Sequence, residues 1–243
     1  MSAILELNQV RSGYTGDVEI LQKVDMSLEE GKLTVLIGPN GAGKSTTLKT
    51  IFGFLPPWSG EIRFLGQRID TLDPFEIKRL GISYIPQTIN VFPQLTVEEN
   101  LKLGGWIRRG EKAWLQNQLE KTYELFPILK DFRKRRANQL SGGQAKMLSI
   151  AKEVLSEPKL ILVDEPTAAL APLIAQDTYE FLLTTQRALN AAIILVDHHM
   201  EKAAELADYV YVLSLGKMVE HGPGSEFDVE RLKDIIRQCL LAE

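Results

Sequence analysis

A continuous apolar run, Leu33 to Ile37, passes directly into Gly38, Pro39, Asn40, Gly41, Ala42, Gly43, Lys44 and Ser45, followed by Thr46. No other feature restricts the fold as strongly. A short run rich in Val, Leu and Ile fits a strand buried on both faces of a parallel sheet. The eight residues after it match G-x-x-x-x-G-K-[ST] in the context that pattern requires, after a strand and before a helix. Glycines let backbone N–H groups turn inward as an anion-binding nest. A helix from Lys44 to about Phe52, stopped by Gly53, adds partial positive charge at its N-terminus. Lys44 is then placed to reach the β- and γ-phosphates of a nucleotide, and Ser45 to ligate Mg2+. A ligand-free glycine turn explains the loop, but not the agreement of all eight positions and both flanks.

Two further continuous runs, Leu160 to Val163 and Ile193 to Val196, read as buried parallel strands, with Ile82 to Ile85 a weaker fourth. Each precedes a turn and a helical pattern, the βα alternation of an α/β domain. Leu5 to Val10 and Glu61 to Phe64 alternate instead, as half-buried strands of a small antiparallel sheet do. Tyr209 to Leu213 and Lys217 to Val219, around Gly216, read as a closing hairpin. No strand-like run occurs between Thr96 and Leu140. Leu115, Leu119, Tyr123 and Phe126 follow helical spacing, which predicts a helix from Trp114 through Leu129 in an inserted helical region. The cluster Arg133 to Arg136 reads as a solvated helix end or loop. Leu232, Ile235, Ile236, Cys239 and Leu240 define a C-terminal helix expected to pack on the core.

Composition excludes several function classes. The 243 residues carry 28 Lys+Arg against 32 Asp+Glu, a net −4. No global basic field for nucleic acid exists. The single cysteine, Cys239, forms neither an intramolecular disulfide nor a cysteine-only metal cluster, and it suits a reducing compartment. The start, Met1 to Glu6, lacks a signal peptide's basic and apolar segments. No apolar stretch approaches the ~18 residues of a membrane span. A cytoplasmic soluble chain is expected, whose membrane role, if any, comes through a partner.

The run ending at Val163 leads into Asp164 and Glu165. A carboxylate at the end of a buried parallel strand emerges at the sheet's carboxyl edge, where ligands bind. Asp164 is placed to hold Mg2+ through water and Glu165 to polarise an attacking water. A strand-end Asp also caps helices, but beside a phosphate loop the metal reading is favoured. These elements make a P-loop nucleotidase. A GTPase would need a guanine-reading N-K-x-D, which the sequence lacks. Leu140, Ser141, Gly142, Gly143 and Gln144 then open a helix, expected from Ala145 to Leu155. They supply a second anion-binding N-terminus, explicable if it serves a nucleotide held by another subunit.

With these motifs in this order, the chain resembles the ATP-binding cassette (ABC) ATPases over its whole length. The resemblance implies an α/β P-loop NTPase fold of the ABC type: a mostly parallel RecA-like core sheet, a small antiparallel β subdomain and an inserted α-helical subdomain. It implies a single domain over 1–243, with core at 1–87 and 157–243 and the helical signature subdomain at 88–156. Tyr14 resembles the aromatic that stacks on adenine, and Gly38 to Thr46 the Walker A loop. Gln87 resembles the Q-loop glutamine that senses the γ-phosphate and Mg2+ and contacts the transmembrane partner region. Ser141 to Gln144 resemble the signature motif, Asp164 and Glu165 the Walker B pair, and His198 the switch histidine. ATP and Mg2+ are the implied cofactors. The implied mechanism is a two-site dimer in which each ATP lies between one chain's Walker A loop and the other's signature motif.

Two positions depart from the general pattern. Met147 stands where Arg is common, and Ala171, before Pro172, where the D-loop usually has Asp. Both departures are similar to the smaller ATPase type of branched-chain and neutral amino-acid importers, as is Val91 to Asn100 followed by Gly104 and Gly105. Gln87 and His198 are closer to other branches. The resemblance implies amino-acid uptake at the cytoplasmic side of a membrane. The implied partners are transmembrane permease subunits, a second ATPase subunit, identical or related, and indirectly a periplasmic solute-binding protein. A lipopolysaccharide-type exporter ATPase fits the departures less well. Soluble DNA-repair ABC ATPases usually carry a long insertion between cradle and signature, and translation-acting ones two cassettes; this chain has neither.

Overall fold

Every residue of β3 (Leu33–Ile37) is buried, as are those of β7 (Leu160–Asp164) and β8 (Ala192–Val196). The computed structural model describes residues 3–16, 18–168 and 170–241. The Met1-Ser2 start and Ala169, inside the Thr167–Pro172 segment read from the sequence, lie outside them. The three strands stand in a six-stranded sheet of order β10-β9-β3-β8-β7-β6, with β6 at Ile82–Ile85, β9 at Tyr209–Ser214 and β10 at Lys217–Pro223. Neighbours from β9 across to β6 are parallel, and β10 closes the edge antiparallel to β9. The expected hairpin and all four expected parallel strands are present.

Because side chains alternate across a strand, the buried runs feed two different cores. Val35, Ile37, Ile161, Val163, Ile193 and Leu195 point to one side, and Leu36, Leu160, Leu162, Ile194 and Val196 to the other. The second side packs on α1 (Lys44–Ile51) and on a four-stranded antiparallel sheet of order β2-β1-β4-β5. Its strands are β1 (Ala3–Thr15), β2 (Val18–Glu29), β4 (Ser59–Phe64) and β5 (Gln67–Arg68). Strand β2 is absent from the sequence reading, although Val24, Met26 and Leu28 alternate with exposed Asp25, Ser27 and Glu29. That alternation is the half-buried pattern of period two. Helix α2 (Pro74–Leu80) leads into β6. Asp73 caps it by accepting the Glu76 N–H at 2.9 Å.

The first side receives the helical region: α3 (Val97–Gly104), α4 (Lys112–Leu125), α5 (Pro127–Asp131) and α6 (Gly142–Val154). The single helix expected through Leu129 is two helices. Pro127 lacks an N–H and disfavours the α conformation in the residue before it; Phe126 accordingly turns out to φ −128°, ψ 70°. Helix α6 begins three residues earlier than expected, with Ser141 as its N-cap. Arg133 to Arg136 form the expected exposed loop. The Arg133 and Arg135 carbonyls accept the Glu98 and Val97 N–H groups, which pins the loop to the start of α3. Helix α7 (Pro172–Leu189) links β7 to β8, and α8 (Met200–Leu206) follows β8. On α9 (Val229–Leu241), Leu232, Ile235 and Cys239 are buried, whereas Ile236 is half-buried and Leu240 exposed. The core-facing stripe is thus narrower than the sequence spacing suggested. No described helix is long and apolar enough to cross a membrane.

Candidate active site

Strands β3, β7 and β8 run parallel, so their carboxyl ends share one edge of the sheet. The loop after β3 approaches its neighbours closely. A Cβ on Gly38 would lie 2.0 Å from the Leu213 carbonyl oxygen, so only glycine fits. Gly43, at φ 106°, caps α1 in the left-handed region, where glycine alone is at ease. No side chain caps α1 and no acidic residue stands in its first turn. Its N-terminal amides therefore face the loop without an internal anion, the condition for binding an external one. Lys44 is buried and its Nζ donates to the Gly38 and Pro39 carbonyls, each at 2.8 Å. Burial pushes its ammonium pKa down, opposed by the charges of Glu165 and Asp164.

Asp164, at the end of β7, is held by both oxygens. Ser45 Oγ donates to Oδ1 and the Tyr84 hydroxyl to Oδ2, each at 2.8 Å. Hydrogen bonds to a charged group contribute roughly 1.5–3 kcal/mol each, enough to orient the carboxylate. Burial and the neighbouring Asp164 charge push the Tyr84 pKa far up, so it stays a donor. Ser45 Oγ and Asp164 Oδ1 offer hard oxygen donors at one point. Among the described residues no group of three or more His, Cys, Asp or Glu forms a metal cluster. This donor set fits Mg2+, which keeps several waters and joins one or two protein oxygens to phosphates.

Glu165, the next residue, adopts φ 45°, a left-handed conformation that costs a non-glycine residue roughly 1–2 kcal/mol. Its N–H donates to the Val196 carbonyl at 2.8 Å, which ties it to the end of β8. Two side chains converge on Oε2: Gln87 Nε2 donates at 2.8 Å, and His198 Nε2 stands at 2.7 Å. Asp197, between β8 and His198, accepts Thr167 Oγ1 on both oxygens at 2.8 Å and the His199 N–H at 2.9 Å.

Of the residues singled out from the sequence, Gly38 to Thr46, Gln87, Asp164, Glu165 and His198 thus meet at one sheet edge. Tyr14 stands at its rim, 55% exposed, with Lys49 Nζ 3.2 Å from its hydroxyl. Ser141 to Gln144 stand apart. They form a capping box among themselves, Gln144 N–H to Ser141 Oγ at 3.3 Å and Ser141 N–H to Gln144 Oε1 at 3.0 Å. Among the described residues they share no hydrogen bond with Lys44, Asp164, Glu165 or His198. Ala171 caps α7 without a side-chain bond, before Pro172 at the first helical position. Met147 is half-buried against the helical core. A cleft of about 610 Å³ beside the site is lined by Phe54, Phe75, Lys78, Tyr84, Gln87 and Glu153, among others.

Sequence reasoning missed Tyr84 and Lys146. Tyr84 is the third residue of the four-residue β6, half-buried where Ile82, Ser83 and Ile85 are buried, and no local pattern in the sequence sets it apart. Lys146, near the start of α6, reads as a solvated helix residue, yet it is 2% exposed. Burial pulls its pKa down to about 8.

Comparison with known proteins places this geometry among relatives. The family model described as ABC transporter matches residues 21–168. The probable branched-chain amino acid transport ATP-binding protein LivF of Archaeoglobus fulgidus is 36% identical over 92% of the chain and 93% of its own length. The high-affinity branched-chain amino acid transport ATP-binding protein BraG of Pseudomonas aeruginosa is 40% identical over 88% of the chain and 91% of its own. Among solved structures, the ADP conformation of an ATP-binding cassette of an ABC transporter superposes with a TM-score of 0.85, at 28% identity and full coverage of both chains.

Proposed function

The chain belongs to the ABC transporter family of ATPases, and on that premise we propose that its ATP hydrolysis drives uptake of branched-chain or other neutral amino acids through separate membrane subunits. The observation that carries the catalytic part is the convergence of Lys44, the Ser45–Asp164 pair and the Gln87–Glu165–His198 cluster on one sheet edge. The solute class rests on the two amino-acid transport relatives, which match the chain over nearly its full length.

In this reading the Gly38–Thr46 amides and the α1 N-terminus hold the phosphates, and Tyr14 stacks on adenine. Lys44 exchanges its two loop carbonyls for β- and γ-phosphate oxygens. Ser45, Asp164 and Gln87 would hold Mg2+, which would supply positive charge to neutralise the phosphate oxygens. Glu165 accepts a proton from water as the water oxygen attacks the γ-phosphorus; the bond to the β–γ bridging oxygen breaks, leaving ADP and phosphate. His198 turns its Nε2 donor from Glu165 to the γ-phosphate, where negative charge grows in the transition state. The loop backbone and the Asp164 and Glu165 carboxylates are held in place beforehand, while Lys44 and His198 change partners; positioning is the larger part of phosphoryl-transfer catalysis.

Because Ser141 to Gln144 stand apart from their own chain's cradle, they are suited to complete the phosphate shell of a second, identical or related ATPase subunit. The γ-phosphate then holds two subunits together, and its loss releases them. The division into a core at 1–87 and 157–243 and a helical part at 88–156 follows from the same reading, as does a peripheral position on the cytoplasmic face of a membrane. Permease subunits are the direct membrane partners, and a periplasmic solute-binding protein an indirect one. Deleting this subunit in its host should abolish uptake of radiolabelled leucine and valine, and complementation should restore it. Unchanged uptake of these and of alanine would remove the amino-acid assignment while leaving the ATPase intact.

A further inference from the structure

Helix α6 carries a stripe of buried polar side chains, Lys146, Ser149, Lys152 and Glu153. Their spacing puts them on one face of the helix. A helix packed on an apolar core does not need them, since an ammonium taken out of water is among the costlier groups to bury. Lys146, Ser149 and Lys152 engage the segment that leaves β6, and Glu153 engages α2 and β6 itself. Lys146 Nζ donates to the Pro86 and Gln87 carbonyls, at 3.3 and 3.4 Å. Ser149 Oγ accepts the Asn90 N–H at 3.2 Å, and Lys152 Nζ donates to the Asn90 carbonyl. Glu153 meets Lys78 Nζ at 2.5 Å, and its backbone carbonyl accepts Ser83 Oγ at 2.8 Å. The segment held in this way carries Gln87, whose amide meets Glu165.

We propose that Lys146 is a positioning residue for ATP hydrolysis: by gripping the Pro86 and Gln87 carbonyls it fixes the Gln87 amide on Glu165, and so joins the Ser141–Gln144 helix start to the hydrolytic carboxylate. The hydrogen-bonded path is short. Gln144 and Lys146 share the first turns of α6, Lys146 holds the backbone of Gln87, and Gln87 holds Glu165. A phosphate arriving at the α6 N-terminus from a second subunit is therefore communicated to Glu165 of the chain that receives it. Met or Leu at 146 would pack as well but would leave two carbonyls and the Gln87 position unheld. This inference rests on the reading of Gln87 and Glu165 given above.

The test uses the full-length chain with Mg-ATP, comparing the parent with Lys146→Met, Lys146→Gln, Gln87→Ala and the Lys146→Met/Gln87→Ala double variant. Phosphate release provides kcat and KM, and a fluorescent ATP analogue provides Kd. Lys146→Met should lower kcat by about tenfold or more, since misplacement near 1 Å costs up to about a hundredfold. KM and Kd should stay within about twofold. Lys146→Gln, whose amide still donates to a carbonyl, should recover part of kcat. In the Gln87→Ala background Lys146→Met should cause no further loss, because coupled residues are not additive. A Lys146→Met kcat within about twofold of the parent, or losses that multiply in the double variant, would overturn the proposal. Should Lys146→Met fail to fold, Lys146→Leu, which also removes the donor, carries the same cycle with the same criteria. If Gln87→Ala leaves kcat unchanged, the Gln87 reading itself falls and the Lys146 role with it; a silent Lys146 beside an active Gln87 removes the Lys146 role alone.

Discussion

Replacing Glu165 by Gln tests the chemistry with little change of shape. Both contacts to the carboxylate converge on a single oxygen, Oε2, from Gln87 Nε2 and His198 Nε2. The glutamine carbonyl can occupy that point and accept from both, while its NH2 takes the place of Oε1. The main chain at 165 keeps its bond to Val196. What is lost is the negative charge and the ability to take a proton. General-base catalysis contributes roughly 10²–10⁴ in rate, about 2.7–5.4 kcal/mol of barrier. Binding loses none of its own contacts, since Lys44, Ser45 and the α1 amides are untouched, and one fewer carboxylate faces the phosphates. The ATP Kd should therefore be unchanged or tighter. Steady-state phosphate release should fall by about a hundredfold or more, while a fluorescent ATP analogue titrates normally. With Mg-ATP the variant should sediment near twice 27.3 kDa. Release within about threefold of the parent would refute Glu165 as the base, and a monomer at saturating ATP would refute the shared-site arrangement.

Other outcomes follow from the same geometry. Lys44→Ala should abolish nucleotide binding or turnover, measured by analogue titration and phosphate release, because the loop carbonyls of Gly38 and Pro39 then face phosphate with no intervening cation. Leu162→Ala, in a fully buried position of β7, should cost about 2–5 kcal/mol in urea unfolding. For Asp70, burial raises the carboxyl pKa, but the Arg68 guanidinium and the Ile62 N–H outweigh it and hold the pKa below the ordinary 3.8. A depressed folded pKa adds stability above the unfolded value that is lost as pH falls through the folded one. Asp70→Asn should therefore lower the melting temperature at pH 7, with the difference shrinking below about pH 4.

The residues legible in the sequence are those whose job is local. Gly38 to Ser45 need a loop of fixed length between a strand and a helix, so the whole requirement is written in consecutive letters. Asp164, Glu165 and His198 sit at the ends of continuous apolar runs, and the run itself marks the sheet edge. Tyr84 and Lys146 act across the fold, on Asp164 and on the Gln87 backbone. Nothing next to Lys146 distinguishes a lysine buried against carbonyls from one in water. The break at Phe126–Pro127 was legible from Pro127 alone, but the helical spacing of Leu115, Leu119, Tyr123 and Phe126 ran up to it and masked it. Strand β2 was missed for the opposite reason: bulges in its pairing with β1 interrupt an otherwise clean alternation.

The alternation of β3, β7 and β8 between two cores bears on how such a sequence can drift. Neighbouring letters in Leu160–Val163 answer to different constituencies: Leu160 and Leu162 to the side of α1 and the antiparallel sheet, Ile161 and Val163 to the side of the helical region. Substitutions at sites that share no contacts add nearly independently. Lineages can therefore remodel the helical face at every second position, and leave the face beneath the phosphate loop untouched. A single-residue insertion in any of these strands has no such freedom, because it exchanges the two faces at once. Relatives are then expected to differ by point replacement within these strands and to confine their length changes to the connections between them.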